Sequence, residues 1–421
     1  MRNAMVWRRL LGFKKTVIEN VEMEDSGPSD IQVVVVSVRP TKSARNRCGR
    51  CQRRCRGYDH GQGRRRWRAL DCGTVQVLVE AEAPRVTCRT HGEIVASVPW
   101  ARHGAGHTRS FDQTIAWLAT VSSKSAVTRL MRVAWRTVGE IVDRVWADTE
   151  KVFDRYASLR RIGIDEISYK KGHKYLTVVV DHDSGRLVWA GEGRTKATLG
   201  KFFDKLGPER CALITHVSAD GADWIATVVS DRCRNAVRCA DPFHITKWAT
   251  DAMDSVRRGA WNAARKAAET SDANQAAKAL KNSRYALWKN PEDLTDRQQI
   301  KLAWVAKTDP KLYRAYLLKE GLRTVLKMPL HEATAGLQRW ISWARRSRIP
   351  EFVHLQRRIT KHMATILASI EHGLTNGLVE SMNTKIRLIT RMAFGFKSPD
   401  ALIALALLGL GGQRPELPGR K

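Results

Sequence analysis

From Arg161 the chain reads RIGIDEISY, then KYLTVVVD from Lys174 and RLVWA from Arg186, with breaks at Gly172 and at Asp183-Ser184-Gly185. Short runs rich in Ile, Val and Tyr between such breaks are strands, and connections this tight make the three a β-meander. The pattern then alternates through a helix at Thr195 to Leu206, a strand at Cys211 to Ala219, a helix at Asp223 to Ser230 and a strand at Asn235 to Cys239. Strands interleaved with helices define an α/β arrangement.

The flanks differ in kind. Residues 1 to about 105 are basic and β-rich, with β-branched runs at Ile31 to Val38 and Val75 to Val79 and a weaker one at Glu93 to Val98. Phe111 to Tyr156 carries helical periodicity. Ile245 to about Ile370 is long, charged and rich in Ala, Lys, Arg and Gln, which reads as helices. A last helical stretch opens at Thr375-Asn376-Gly377 and ends at Gly409. The expected organisation is a β-rich domain over 1–105, a helical segment over 106–157, the α/β core over 158–244, a helical insertion over 245–372, a return to the core over 373–412 and a tail over 413–421.

Composition narrows the partners. Lys and Arg number 73 against 42 Asp and Glu, a formal net charge of +31, on a chain whose apolar fraction of 43% suits folded domains. So large a basic excess calls for a polyanion, with nucleic acid ahead of an anionic membrane surface. The longest apolar tract, Ala401 to Leu410, is too short to span a bilayer, and Arg8, Arg9, Lys14 and Lys15 interrupt any signal-peptide core. The expected compartment is the cytoplasm.

Five of the eight cysteines lie between Cys48 and Cys88. Cys48-Gly-Arg-Cys51 and Cys88-Arg-Thr-His91 are two knuckles whose spacing lets four ligands close one tetrahedral zinc site, of structural character. Free thiols on a loop are the bland alternative, and Cys55 or Cys72 could replace a ligand. Between the knuckles, Arg45 to Arg68 holds ten arginines and a single acid, Asp59. A solvated face is the usual fate of such a run, yet on a metal-organised hairpin phosphate contact is the better reading, with Arg53, Arg54, Arg64, Arg65 and Arg66 in reach of DNA.

Ser125 to Val145 reads as a short helix, a tight turn at Arg132 to Ala134 and a second helix from Trp135. Val127, Leu130, Met131, Val138, Ile141, Val142 and Val145 form its inner face, which leaves Arg129, Arg132, Arg136 and Thr137 outside near the start of the second helix. That is where the recognition helix of a helix-turn-helix meets DNA, and a plain helical hairpin is the competing reading.

Three acids stand apart. Asp165 interrupts the apolar strand Ile162-Gly-Ile-Asp-Glu, where period two puts Ile162 and Ile164 on one face and Asp165 on the other. Asp220 follows the strand ending in Val217-Ser-Ala, at the kind of strand end where ligands collect in α/β sheets. Glu380 sits early in the last helical stretch. Singly, each has an ordinary explanation: an arginine partner, a helix cap, a helix surface. Together, carboxylates from two strands and a helix suit two Mg²⁺ or Mn²⁺ ions roughly 4 Å apart, which take hard oxygen ligands and leave positions open to phosphate. Phosphodiester cleavage and strand transfer are the chemistry of such a site.

The segments Gly163-Ile-Asp-Glu-Ile-Ser-Tyr169, Lys171 to His182, Asp241-Pro-Phe-His244 and Thr375 to Ile386, with the zinc knuckles and the helix-turn-helix, resemble the DDE transposases of the ISL-three family of bacterial insertion sequences. The resemblance covers nearly the whole chain. It implies a multi-domain α/β protein with a ribonuclease-H-like mixed-sheet core and an all-helical insertion, Asp165, Asp220 and Glu380 being the metal-binding triad. It also implies double-stranded DNA as partner, both terminal inverted repeats and target, a homo-oligomer on paired ends, no membrane, and a place at the bacterial nucleoid.

Further residues join this picture as auxiliaries. Asp241 and His244 follow the fifth strand, where His244 could orient a phosphate or a water, an ordinary core histidine being the alternative. Asn383 and Arg387 follow Glu380 by three and seven positions on one helical face, and with Lys385 they suit phosphate guidance. Asp181 and Asp183 read as turn residues. The competing functions are a DNA-binding regulator that has lost catalysis, which needs no triad, and a structure-specific nuclease, for which two DNA-reading modules are excessive.

Overall fold

The computed structural model describes residues 2–24, 32–266, 271–396 and 398–420. Ile31 of the expected first β-branched run and residues 267–270 of the helical zone lie outside them. The chain forms two compact units, one of residues up to Asp154 with those from Ile389 onward, the other of Arg155–Leu388. Among the described residues no helix is long and apolar enough to cross a membrane.

The first unit opens with helix α1 (Arg2–Leu11), followed by strands β1 (Thr16–Glu24), β2 (Val33–Pro40), β3 (Arg56–Asp59), β4 (Arg64–Arg68), β5 (Gln76–Glu82), β6 (Arg85–Cys88) and β7 (Gly92–Val95). Its four-stranded sheet has the order β1-β2-β5-β4, with β2 and β5 parallel and the outer pairs antiparallel. Alternation puts Val34, Val36, Val38, Val77 and Val79 into a core with Trp67 and Trp100. A smaller antiparallel sheet, β3-β6-β7, carries the metal knuckles. Helices α2 (Arg109–Val121), α3 (Lys124–Met131) and α4 (Trp135–Val152) follow, with Arg132 in the left-handed conformation at φ 51° closing α3 as the sequence turn requires.

Val127, Val138, Ile141, Val142 and Val145 are buried as expected, but Leu130 is 65% exposed. It belongs outside because α3 is only eight residues long and presents a narrow inner stripe.

The second unit carries β8 (Arg161–Lys170), β9 (Lys174–Asp181) and β10 (Leu187–Glu192), then helices α5 (Lys196–Leu206) and α6 (Pro208–Ala212), β11 (His216–Ala219), α7 (Asp223–Arg232) and β12 (Val237–Ala240). The sheet order is β10-β9-β8-β11-β12. The first three strands are the antiparallel meander, and β11 and β12 add in parallel to β8. The expected long strand from Cys211 shrinks to four residues, because Gly207 ends α5 and Pro208 starts a new helical turn that takes Cys211 with it. Ile162, Ile164, Val179 and Val217 pack with Leu199, Phe202 and Phe203 of α5 and Ile225 and Val229 of α7.

The insertion is all helical: α8 (Pro242–Lys266), α9 (Ser271–Asn282), α10 (Arg284–Trp288), α11 (Asp296–Thr308), α12 (Pro310–Val325), α13 (Leu330–Arg346), α14 (Pro350–Lys361) and α15 (Met363–His372). It has its own core around Leu312, Leu318, Leu322, Leu337 and Phe352. Helix α16 (Gly377–Met392) then returns to the sheet, on the face opposite α5 and α7: a Cβ at Gly163 of β8 would strike Val379. Helix α17 (Pro399–Leu410) packs on α2 and α4 within the first unit. Its sequence, ALIALALLGL after Asp400, is apolar around most of its circumference, so it needs cover on several sides.

Candidate active site and nucleic-acid interface

Three parallel neighbours bring three acids into one row. Ile164 of β8 is paired with Ala219 of β11, and Ala219 with Ala240 of β12. The next residue in each chain segment is Asp165, Asp220 and Asp241, respectively. Adjacent strands lie roughly 4.8 Å apart, so the row is a compact band of carboxylates just past the ends of β11 and β12 and beside the middle of β8.

Helix α16 completes the site. Asn383 donates its side-chain amide to Asp165 Oδ2 at 2.8 Å, while Asp165 Oδ1 accepts from the Glu166 amide at 2.8 Å. Glu380, one turn before Asn383, shares that face. Among the described residues, the carboxyl-bearing group whose ligand atoms all lie within 4.8 Å of one another is Asp241, His244 and Glu380. Asp165 and Asp220 are near enough to act on His244 by charge, and two members of the group, Asp241 and His244, were expected as auxiliaries.

The electrostatics are those of crowded acids. Burial pushes Asp165 up to about 6, and the charges of Asp220 and Glu380 push it the same way. Burial likewise raises Asp241, but the His244 ring and the Asn376 and Phe243 amides outweigh it and leave its pKa lowered. His244 Nδ1 lies 2.7 Å from Asp241 Oδ2, and that bond raises the imidazole, helped by Asp220 and Asp165. Asp220 Oδ1 accepts from the Ala222 amide at 3.0 Å, so it does turn the chain into α7.

A hydrogen-bonded chain fixes the start of α16. His182 Nε2 meets Ser218 Oγ at 2.7 Å, Ser218 Oγ donates to Asn376 Oδ1 at 2.5 Å, and the Asn376 amide donates to Asp241 Oδ1 at 3.3 Å. Ser218 and Asn376 are fully buried. Ser218 did not stand out in the sequence, and His182 and Asn376 were visible only within longer motif segments, Asn376 also as part of a helix-start signal.

The donor set fits hard divalent cations. It is carboxylate oxygens with one imidazole, and Asn383 Oδ1, buried beside them, has no hydrogen-bond partner among the described residues. A polar oxygen left orphaned there is the kind of atom a cation or its water satisfies.

The knuckles form a second, separate centre. Cys88 and His91 flank the tight β6–β7 turn, and Cys48 is bridged to Ala96. Cys48 Sγ lies 3.5 Å from His91 Nδ1, Cys51 Sγ 3.7 Å from Cys88 Sγ, and Cys88 Sγ 3.6 Å from His91 Nδ1. A tetrahedron with Zn–S near 2.3 Å has edges of about 3.8 Å, so these four residues are spaced as zinc ligands. Backbone donation at Thr90, with His91 alongside, brings Cys88 down to about 6, toward the thiolate a metal binds. Cys55 lies near this group but outside it, and Cys72 is exposed and bridged to Val75.

Three family models match the chain. Residues 162–406 match the DDE transposase family ISL3, residues 96–146 the helix-turn-helix domain of transposase family ISL3, and residues 44–91 the zinc-finger of transposase IS204/IS1001/IS1096/IS1165. The transposase for insertion sequence element IS1557 of Mycobacterium tuberculosis, in strains CDC 1551 and H37Rv, is 61% identical over 436 residues, spanning 100% of this chain and 98% of the relative. The chain belongs to the ISL3 transposases. The transposase for insertion sequence element IS1001 of Bordetella parapertussis is 26% identical, covering 95% of this chain and 96% of its own.

The basic residues of this ISL3 transposase that were expected to meet DNA fall into two groups. Arg53 and Arg54 are exposed beside the first knuckle, Arg136 is 91% exposed with Glu140 at 2.9 Å, and Lys385 and Arg387 are exposed on α16. Others are engaged within the fold. Arg64 and Arg66 pair with Glu80 at 3.0 Å, and Arg66 also with Glu24 at 2.6 Å. Arg65 donates to the Ala105 carbonyl at 2.8 Å and lies over Trp67. Arg132 joins Asp71 and the Thr74 carbonyl, each at 2.9 Å, and Thr137 is half-buried.

Proposed function

We propose that this transposase binds the terminal inverted repeats of its own element and, with Mg²⁺ or Mn²⁺, cleaves their strands and joins them to target DNA. The observation that carries the reading is the row Asp165, Asp220 and Asp241 across three adjacent strands, met by Glu380 and Asn383 from one helix. A ribonuclease-H-like core is supported by the strand order, an antiparallel meander extended by two parallel strands on its first member.

Asp165, Asp220 and Glu380 would hold a pair of divalent cations, with Asp241 and His244 close enough to take part. Such ions acidify an attacking water or 3′-hydroxyl and offset charge on the phosphate. The chain's own contribution is geometric and electrostatic. Asn383 orients the Asp165 carboxylate, and Asp241 fixes His244 through Nδ1, which leaves Nε2 to face a phosphate oxygen or a water. Because water and a DNA hydroxyl present the same atom to the phosphorus, one site serves cleavage and joining.

Two element ends must be held at once, so a homo-oligomer on paired ends belongs to the proposal, as does residence at the nucleoid. The test is nicking of end-containing duplex with Mg²⁺ or Mn²⁺, followed by joining of a labelled end to a plasmid. Both activities are expected from the wild type and neither from Asp165→Asn. Specific end binding without either reaction would leave the DNA-binding regulator as the correct reading.

A further inference from the structure

Within the first unit a cleft of about 880 Å³ opens among the first zinc knuckle, residues 102–113, the last turns of α4 and residues 413–416. Arg50, Arg109, Lys151 and Arg414 line it, together with the more buried Arg102 and Arg144. The counter-charges are too few for these cations. Fully buried Asp112 is divided between Arg102 at 3.1 Å and Arg144 at 3.9 Å. Asp148 is taken by Arg102 at 2.6 Å and reaches Arg109 only at 4.0 Å. Among the described residues Arg50 and Lys151 make no ion pair, and of the wall's other acids there is Glu416.

Neighbouring groups register the resulting field. His103, on the cleft wall, is depressed by burial and then by the charges of Arg50 and Arg65. His107, behind it, is depressed by burial and then by Arg144 and Arg68. In both, burial is the larger cause and the charges of the neighbouring arginines act in the same direction. Like charges held this close in a concave surface are relieved by a polyanion.

The cleft is separate from the base-reading end of the helix-turn-helix. At 1.5 Å per residue, Lys151 lies roughly 22 Å along α4 from Arg136. We propose that this cleft grips the phosphodiester backbone of duplex DNA, an anchor that is independent of base sequence and distinct from the recognition end of α4. It rests on the reading of the chain as a DNA-binding transposase and adds Arg109 and Arg414, with Lys151 at the end of α4 remote from its recognition residues.

The experiment is equilibrium binding of the full chain to a labelled duplex of random sequence and to one bearing an element end, over a salt series without divalent metal. Arg109→Gln combined with Lys151→Gln is expected to lower the salt slope of log K by about 2, close to one per lost phosphate contact, and to weaken both duplexes about equally, by roughly tenfold or more at low salt. Arg109→Lys combined with Lys151→Arg is expected to restore the slope, which separates charge from packing. Unchanged slope and affinity in the Gln pair would overturn the assignment, as would an equal loss in the charge-conserving pair or a loss confined to the element end. Tripolyphosphate that saturates the wild type while leaving duplex affinity intact would likewise show that the cleft takes a small anion instead. A wild-type chain that bound no duplex would remove the DNA-binding reading together with this one.

Discussion

Asn383 donates a hydrogen bond to Asp165 across 218 residues of sequence, joining the helix that bears Glu380 to the strand that bears the first acid of the row. One side chain thus sets both the position of α16 on the sheet and the direction of a carboxylate. Outer partners of this kind are worth roughly 10- to 100-fold in metal affinity or activity. Asn383→Ala is expected to slow nicking by that factor and to raise the Mg²⁺ concentration needed for half-maximal rate. A nicking assay over a metal titration measures both, and an unchanged metal requirement would show that Asn383 only packs.

Asp165→Asn should stabilise the metal-free protein while abolishing strand cleavage. In the fold the Asp165 carboxyl is raised to about 6, above its unfolded value of about 3.9, so it is the protonated form that the fold favours. Stability from that preference is complete below about pH 4 and is lost as the pH rises through 6. The variant keeps an acceptor for Asn383 and carries no charge at any pH. Relative to wild type it is expected to gain up to about 3 kcal/mol at pH 8 and little at pH 4, because ionising the buried carboxyl costs the fold about that much more than ionising it in the unfolded chain. Denaturant unfolding in the presence of chelator at the two pH values is the measurement. Equal gains at both would assign the effect to packing.

Ser218 links His182 to Asn376, and Asn376 begins α16. Ser218→Ala removes a fully buried hydroxyl and leaves two polar groups unpaired, at a cost of about 1–3 kcal/mol. The expected outcome is a folded protein with a lower unfolding midpoint and nicking that falls more than end binding does. Gly163→Ala is the steric counterpart, because its Cβ would meet Val379 and push α16 from the sheet. Nicking is expected to be lost in that variant, and hydrogen exchange should show α16 opening before the strands.

The contrast between what could and could not be read in advance is physical. The meander was legible because alternation and turn residues are local signals, and the knuckles because two ligands per turn leave a fixed spacing. Asp165, Asp220 and Glu380 stood out as acids in apolar or strand-end surroundings. The register that lines Asp241 up with Asp165 and Asp220 is a property of pairing between distant strands, so Asp241 and His244 looked peripheral. Ser218 and His182 are ordinary residues made important by burial, which no local pattern reports. Arg64 and Arg66 looked free because their partners, Glu80 and Glu24, sit on other strands of the sheet. The destination of α17 also depends on a face supplied by α2 and α4.

Zinc should be structural for the first unit alone. Cys48, Cys51, Cys88 and His91 tie the β6–β7 turn to the loop before β3, a sheet of only three short strands that has little apolar core of its own. Chelation is expected to release one zinc per chain and to expose the amides of 44–59 and 85–96 to exchange, while those of β4 and β5 and of β8 to β12 stay protected. DNA affinity should fall with the metal. Cys88→Ser is expected to reproduce the effect without chelator, whereas Cys55→Ser and Cys72→Ser should retain the metal, since neither thiol belongs to the four-ligand group. Zinc content by elemental analysis decides the ligand set, and loss of metal in Cys55→Ser would move that thiol into it.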